Sequence, residues 1–444
     1  MSTKEQRIAS AEKPGKDALR LHPFYKGKIE IAPKCIIRDF NDFAIWYTPG
    51  VAQPCKEIAK DPNKVYEHTN KGNAVAVVSD GTRVLGLGDI GPEAGLPVME
   101  GKALLFKYLG GVDAYPICVE TKDPDELIKV VKLIQPSFGG INLEDIAQPK
   151  CFYILDKLRQ EAHIPVWHDD QQGTAAVNLA GLINSLKIVG KKLNEVKIAM
   201  VGAGAANTAT LRLFLAAGVD AGKVIMTDLN GILHSDRKDF EKSDPRYRFC
   251  QITNKEKKKG GIAEAMKGAD VVIALSAPGP GVIKKEWVAD MGKDPIVFVC
   301  ANPVPEIWPW EAKEAGARIV ATGRSDFHNQ INNSLGFPGI FRGTLDVRAK
   351  TITDEMVIAA AHELAQTAQD KGINEEYIIP TMDDPEVYTR EAVAVGLKAI
   401  EQGLARIKPS RTELIEQANR MIKRAREQAD ILMSSHLIPA PPEE

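Results

Sequence analysis

Short, unbroken apolar runs punctuate most of the chain, and each stops abruptly at a polar residue or a glycine turn. Such runs occupy 73–81, 114–120, 138–143, 164–167, 196–201, 270–276, 296–303 and 318–323, and another ends at Asp228. Runs of this length without polar alternation predict strands covered on both faces. Between them, 123–134, 151–162 and 174–193 carry apolar residues at three- and four-residue steps, the spacing of helices. Strand–helix–strand order repeated in this way predicts an α/β fold with parallel sheets. From Asp354 onward the pattern is helical. Over 410–436, Leu414, Ala418, Met421, Ile422, Ala425, Ala429 and Leu432 form one apolar stripe, which predicts docking on the body or on a second subunit. Residues 1–30 show no comparable pattern and are expected to wrap over the surface, and the closing LIPAPPEE reads as an extended tail.

Breakers divide the chain further. A helix predicted over 39–59 is cut by Thr48-Pro49-Gly50. Glycines at 86, 88, 91, 95 and 101 predict a tight loop system, after which Lys102 would open the apolar helix ALLFKYLGG. A lysine in a first turn opposes the helix macrodipole, and a locally wrong residue of this kind marks a candidate functional group. At 444 residues the chain has room for two or three domains. The expected division is 1–165, 166–403 and a helical extension over 404–444.

Composition narrows the class. With 44% hydrophobic and 26% charged residues the chain is that of a globular protein. A net charge of -2, without a basic face, argues against nucleic acid as a partner. No apolar run approaches the roughly 20 residues that span a bilayer, and the polar start lacks the apolar segment of a signal peptide. Six scattered cysteines without a CxxC pair suggest reduced thiols and a cytoplasmic protein.

The most informative stretch is 139–174. Its two strand-like runs end in Glu144-Asp145 and Asp169-Asp170, and ligands gather beyond the carboxyl ends of parallel strands. Four crowded carboxylates repel unless protons or a cation offset them. Oxygen ligands without nearby zinc-type spacing suit Mg²⁺ or Mn²⁺. The plainer reading is that the acids open helices, as Glu120 with Thr121 and Asp123 is read to do. Further on, Gly202-Ala203-Gly204-Ala205-Ala206-Asn207 follows a buried strand and precedes a helix, a strand and Asp228. Glycines for the turn and for close approach of a pyrophosphate, with an acid about 20 residues on for the ribose, define a dinucleotide site. Asn207 replaces the third glycine. Asp228 favours NAD, whereas Arg237 and Lys238 could turn the preference toward NADP. Tyr47, beside its turn, and Asn302, at a strand end, are further candidates; Asn333, next to Asn332, precedes a Pro-Gly turn.

Taken together, YTPGVA (47–52), SDGTRVLGLGDIGPEAGLPVMEGK (79–102), NLED (142–145), HDDQQGTA (168–175), GAGAA (202–206), ANPVPEI (301–307) and NNSLGFPGIFRG (332–343) resemble malic enzyme in its short bacterial and archaeal form. The resemblance runs from about Asp39 to about Gly403. It implies an N-terminal malate and metal domain followed by a Rossmann-like doubly wound NAD(P) domain. By it, Tyr47 falls on the catalytic acid, Lys102 on the base and Asp169 on the carboxylate that orients the lysine. Glu144, Asp145 and Asp170 fall on the metal ligands, and Arg83, Asn302 and Asn333 on groups holding malate or the nicotinamide end. The implied reaction is oxidative decarboxylation of malate to pyruvate with NAD or NADP and Mg²⁺ or Mn²⁺. A malolactic enzyme releasing lactate is the alternative, and a homodimer the expected assembly.

Overall fold

Two separate parallel sheets organise the molecule in a computed structural model that describes residues 4–324 and 326–442. The first holds β1 (Ala74–Ser79), β2 (Asp113–Cys118), β3 (Gly140–Leu143) and β4 (Val166–His168) in the order β2-β1-β3-β4. All of its pairings are parallel, with Val78 opposite Leu143 and Leu143 opposite His168. This register sends Glu144 and Asp169 out of the sheet side by side. Strand order reverses between β1 and β3, where an α/β sheet opens a crevice.

The second sheet contains β5 (Ile198–Val201), β6 (Val224–Asp228), β7 (Gly231–Ile232), β8 (Val271–Ala274), β9 (Ile296–Val299) and β10 (Ile319–Thr322). Its order is β10-β9-β8-β5-β6-β7, parallel throughout except for the short β7. The predicted α/β, doubly wound architecture is therefore the observed one. Its strands are apolar without alternation because helices cover both faces, leaving residues such as Val297 and Phe298 wholly buried.

Three local expectations change. The helix carrying Lys102 begins at Pro92, not after Gly101, and runs to Gly110. Gly91 caps it and proline occupies its first position, where no N–H is required. Lys102 thus lies mid-helix, and the macrodipole argument does not apply to it. Gly95 and Gly101 belong to the helix rather than to a loop system, with Gly95 buried. The N-terminal stretch contains a helix, Lys4–Tyr25, whose Tyr25 hydroxyl donates to the Pro439 carbonyl of the tail at 3.0 Å.

After the second sheet the chain returns to the first. The helix Phe337–Asp346 lays Phe337 and Phe341 against Phe106, with ring centroids 4.5 and 5.1 Å apart. Burying a ring of this size stabilises by about 1.5–3 kcal/mol. Arg342 and Asp346, both buried, pair at 2.7 Å. The final helix, Arg411–Ser434, buries Leu414, Ala418, Ile422 and Ala425, the first part of the predicted stripe.

Candidate active site

Beyond β3 and β4 the chain concentrates acids around one lysine. Asp145 has φ +54°, a left-handed conformation that aspartate tolerates better than most side chains. Its backbone N–H donates to Asp170 Oδ2 at 2.8 Å, joining the two strand tips directly. After β4 the chain makes one wide π-type turn, Asp169–Gly173. Only glycine fits at its end, since a Cβ on Gly173 would stand 2.0 Å from Asp169 Oδ1. Ligand oxygens of Glu144, Asp145 and Asp170 all lie within 4.8 Å of one another. Glu144 and Asp145 are buried and Asp170 is partly open.

Lys102, 8% exposed, reaches this group from the side. Its Nζ lies 2.6 Å from Asp169 Oδ2, 3.0 Å from Glu144 Oε1 and 4.4 Å from the Phe337 ring centroid. Trp167 Nε1 donates to Asp169 Oδ1 at 3.0 Å, and Asn142 Nδ2 to Glu144 Oε2 at 2.8 Å. Burial alone would lower the Lys102 pKa, but Asp169 and Glu144 outweigh it and hold the amine in its charged form.

The acids behave in the opposite sense. Burial, then Asp170, pushes Asp145 up to about 8. Burial also raises Glu144 well above the usual carboxylate range, against the pull of Lys102. One lysine cannot neutralise four carboxylates. Asp145 Oδ2 is buried and accepts no hydrogen bond, an oxygen lacking the donor or cation that buried polar atoms ordinarily have. Three carboxylates with ligand oxygens within 4.8 Å of one another, one of the residues carrying an unpartnered oxygen, fit a hard divalent cation.

The other predicted residues take separate positions. Arg83 is exposed on the lip of the large cleft, and its backbone N–H donates to the Asp145 carbonyl at 3.0 Å. Asn333 packs beside Gly173, its Cβ 3.2 Å from where a glycine Cβ would stand. Asn302 lies where Gly86 of the first domain meets its backbone; a Cβ on Gly86 would sit 2.5 Å from the Asn302 carbonyl oxygen. Tyr47 is not brought into the cluster. It is 71% exposed, and its hydroxyl makes no hydrogen bond to any described residue.

Reading the sequence missed His168, which is buried with both ring nitrogens unpartnered and Nδ1 3.6 Å from Asp170 Oδ2. It also missed the buttresses Trp167, Asn142 and Phe337. Trp167 and His168 adjoin the acidic pair in WHDD, but nothing in their own spacing distinguishes them from core residues.

A cavity of 1420 Å³ opens between the first sheet's helix Lys150–Glu161 and the tip of the second sheet. Val201, Gly202, Ala203, Gly204 and Asp228 line it; Ala205, Ala206 and Asn207 do not. Gly202 has φ +96°, and a Cβ there would meet the Leu275 carbonyl oxygen at 2.7 Å. Around Gly204 nothing lies within 4 Å of a built Cβ, which leaves space for a pyrophosphate over the helix that starts at Ala205. Asn207 stands behind this turn, donating from Nδ2 to the Val201 and Gly202 carbonyls at 2.9 and 2.8 Å. The substitution of the third glycine therefore braces the loop rather than obstructing the cavity. The site has the shape and donors for a dinucleotide.

Comparison with known proteins agrees with this arrangement. Residues 26–159 match the family described as malic enzyme, N-terminal domain, and residues 171–400 match malic enzyme, NAD binding domain. The chain is 48% identical over 405 residues to a bifunctional malic/malolactic enzyme of Bacillus subtilis, covering 91% of this chain and 98% of that protein. It is 52% identical over 381 residues to an NAD-dependent malic enzyme of Geobacillus stearothermophilus, covering 86% and 78%. The crystal structure of the malic enzyme of Entamoeba histolytica superposes with a TM-score of 0.97 at 51% identity, covering all of this chain and 93% of the other. With both domains matched in order, and with the predicted two-domain α/β fold in place, the chain belongs to the malic enzyme family of nicotinamide-dependent oxidoreductases.

Proposed function

We propose that the protein catalyses the divalent-cation-dependent oxidative decarboxylation of (S)-malate to pyruvate and CO₂ with reduction of NAD(P). The observation that carries this reading is Lys102 wedged between Asp169 and Glu144 at the edge of the three-carboxylate cluster. Glu144, Asp145 and Asp170 would hold Mg²⁺ or Mn²⁺. Such an ion would supply positive charge beside the substrate hydroxyl and so make its proton more acidic.

The chain's own groups account for the proton and hydride steps. Lys102, once neutral, would take the C2 hydroxyl proton, and a bound nicotinamide would supply the acceptor for the C2 hydride. Asp169, fixed by Trp167 and by the turn at Gly173, holds the Lys102 amine in position. Asn302 and Asn333 orient the nicotinamide end and the substrate without adding charge, and Arg83 binds a substrate carboxylate. Loss of the C4 carboxyl as CO₂ leaves its bonding electrons in the enolate of pyruvate. A proton then goes to C3, and Tyr47 is the donor in this reading. Because Tyr47 is 71% exposed in a single chain, closure or a second copy would have to enclose it over the substrate, and we take the working unit to be a homodimer or larger homo-oligomer. The six cysteines are free thiols, which supports a cytoplasmic setting. No described helix is long and apolar enough to cross a membrane.

The test is formation of reduced nicotinamide from malate, with and without Mn²⁺, together with product analysis. Pyruvate formed only with the cation is the expected result, and cation-independent turnover would sink the proposal. A malolactic reading has one specific support, the name of the Bacillus subtilis relative. Lactate without net accumulation of reduced cofactor would favour it.

A further inference from the structure

The end of the large cavity away from the metal cluster carries charges that the reaction does not use. Asp228, at the tip of β6, accepts Arg237 Nη1 on Oδ1 at 2.9 Å and Nη2 on Oδ2 at 2.7 Å. The same guanidinium donates from Nε to Asp239 Oδ1 at 2.7 Å and also contacts Asp239 Oδ2 through Nη2. Its side chain is 8% exposed and rests on the Phe240 ring, 4.9 Å from the centroid. Arg246 flanks that ring at 4.7 Å and is held in turn by Asp244, Nε to the two carboxylate oxygens at 2.9 and 3.0 Å.

The cavity wall is formed by Asp228, Asp239, Glu241 and Asp244, with Arg246; Arg237 lies behind it. Lys238 is exposed, makes no hydrogen bond or ion pair with any described residue, and does not line the wall. On the facing wall, Lys150 pairs with Asp80 at 2.6 Å and Lys157 with Glu161 at 2.8 Å. Among the described residues at this end of the cavity a ligand meets several acids, and the basic side chains of the walls, Arg246, Lys150 and Lys157, are each paired with a carboxylate. Arg83, which also lines the cavity, stands at the metal end beside Asp145.

We propose that Arg237, pinned between Asp228 and Asp239, sets a preference for NAD over NADP by fixing Asp228 as an acceptor for the ribose 2′-hydroxyl. This rests on the nicotinamide dinucleotide reading of the cavity. A carboxylate bound bidentately by arginine keeps lone pairs that can accept a further hydroxyl proton. A 2′-phosphate dianion would instead face the acidic wall, and could recruit Arg237 only by drawing it from two carboxylates. Arg237 acts through Asp228 and is a positioning residue.

The measurement is kcat/KM with malate and Mn²⁺ for each cofactor, paired with direct calorimetric binding of NAD and NADP to the intact enzyme. The unaltered protein should favour NAD by about tenfold or more, the ratio one charged contact supplies. Arg237→Ala should raise KM for NAD about tenfold while kcat moves little, with Arg237→Lys partly restoring it. Asp239→Asn, which loosens the arginine, should raise kcat/KM with NADP relative to NAD about tenfold. NADP preferred by the unaltered protein, or a cofactor ratio unmoved in both Arg237→Ala and Asp239→Asn, would overturn the proposal. Failure of both dinucleotides to bind at all would instead remove the nucleotide reading on which it stands.

Discussion

Acids stand at the carboxyl edge of both sheets, but the two edges solve the resulting repulsion differently. At the tips of β3 and β4 four carboxylates share a single lysine, and burial holds Glu144 and Asp145 well above their usual pKa values. At the tip of β6 a guanidinium faces Asp228 and Asp239 with near-ideal forked geometry, and its bonds keep Asp239 well below the usual carboxylate range. An unbalanced acidic cluster invites a cation. An acidic pair braced by a guanidinium can accept a neutral hydroxyl and, still short of one positive charge, rejects a second anion. The same residue type thus selects opposite ligands, according to whether the fold supplies it with a counter-charge.

The largest expected effect tests the lysine of the unbalanced edge. Lys102→Ala should lower kcat by about 10²–10⁴, the range for loss of a positioned acid–base group, while nucleotide binding measured by calorimetry persists. Unaltered turnover would separate the lysine from the chemistry. Next in size, Asp170→Asn should weaken Mn²⁺ binding more than tenfold, beyond what altering an outer ligand shell costs at the low end. Unchanged affinity in a direct cation titration would disconnect the cluster from the ion.

The comparison also predicts a pH signature. Asp145 takes up its proton at about 8 in the folded chain, against 3.8 for the free group. The folded state therefore binds the proton more tightly, and this contribution to stability is present at low pH and lost as pH rises from about 4 to about 8. The melting temperature of metal-free protein should fall across that window. Mg²⁺ should flatten the fall, and Asp145→Asn should remove part of it. A flat profile in metal-free protein would mean that neither burial nor Asp170 holds the Asp145 carboxyl above its ordinary value.

The smallest effect concerns a second buried lysine with no acid beside it. Lys71 Nζ donates to the carbonyls of Gln135, Pro136 and Phe138 at 2.8, 2.9 and 2.7 Å, and burial lowers its pKa to about 8. Lys71→Met should destabilise by about 1–3 kcal/mol through lost hydrogen bonds to buried carbonyls, with KM for malate unchanged. A catalytic defect there would blur the distinction between a lysine that braces and one that reacts.

Much of this was legible before any coordinates. The β3–β4 acidic pairs, the glycine turn before Ala205 and the Asp228 strand end all follow from period and punctuation, because parallel strands place their ends at one edge. Lys102 was singled out by a wrong argument, since its helix starts at Pro92. Gly95 and Gly101, which look like loop formers, are helix residues, while Gly86, Gly88 and Gly91 precede the helix. The double hold of Arg237 on Asp228 and Asp239 was not readable, because proximity in sequence does not say which acid a guanidinium will choose.

The amino-acid sequence by itself determined the class of fold, the two acidic strand ends, the dinucleotide turn and the family. These rest on local periodicity and on residue order, which any chain carries openly. Only the tertiary structure decided which acids crowd around one lysine and which are braced by a guanidinium, that Lys102 lies between two carboxylates, and that Tyr47 is left exposed. Those outcomes depend on distances of a few ångströms between segments far apart in the chain, where electrostatic energy changes steeply with separation and burial.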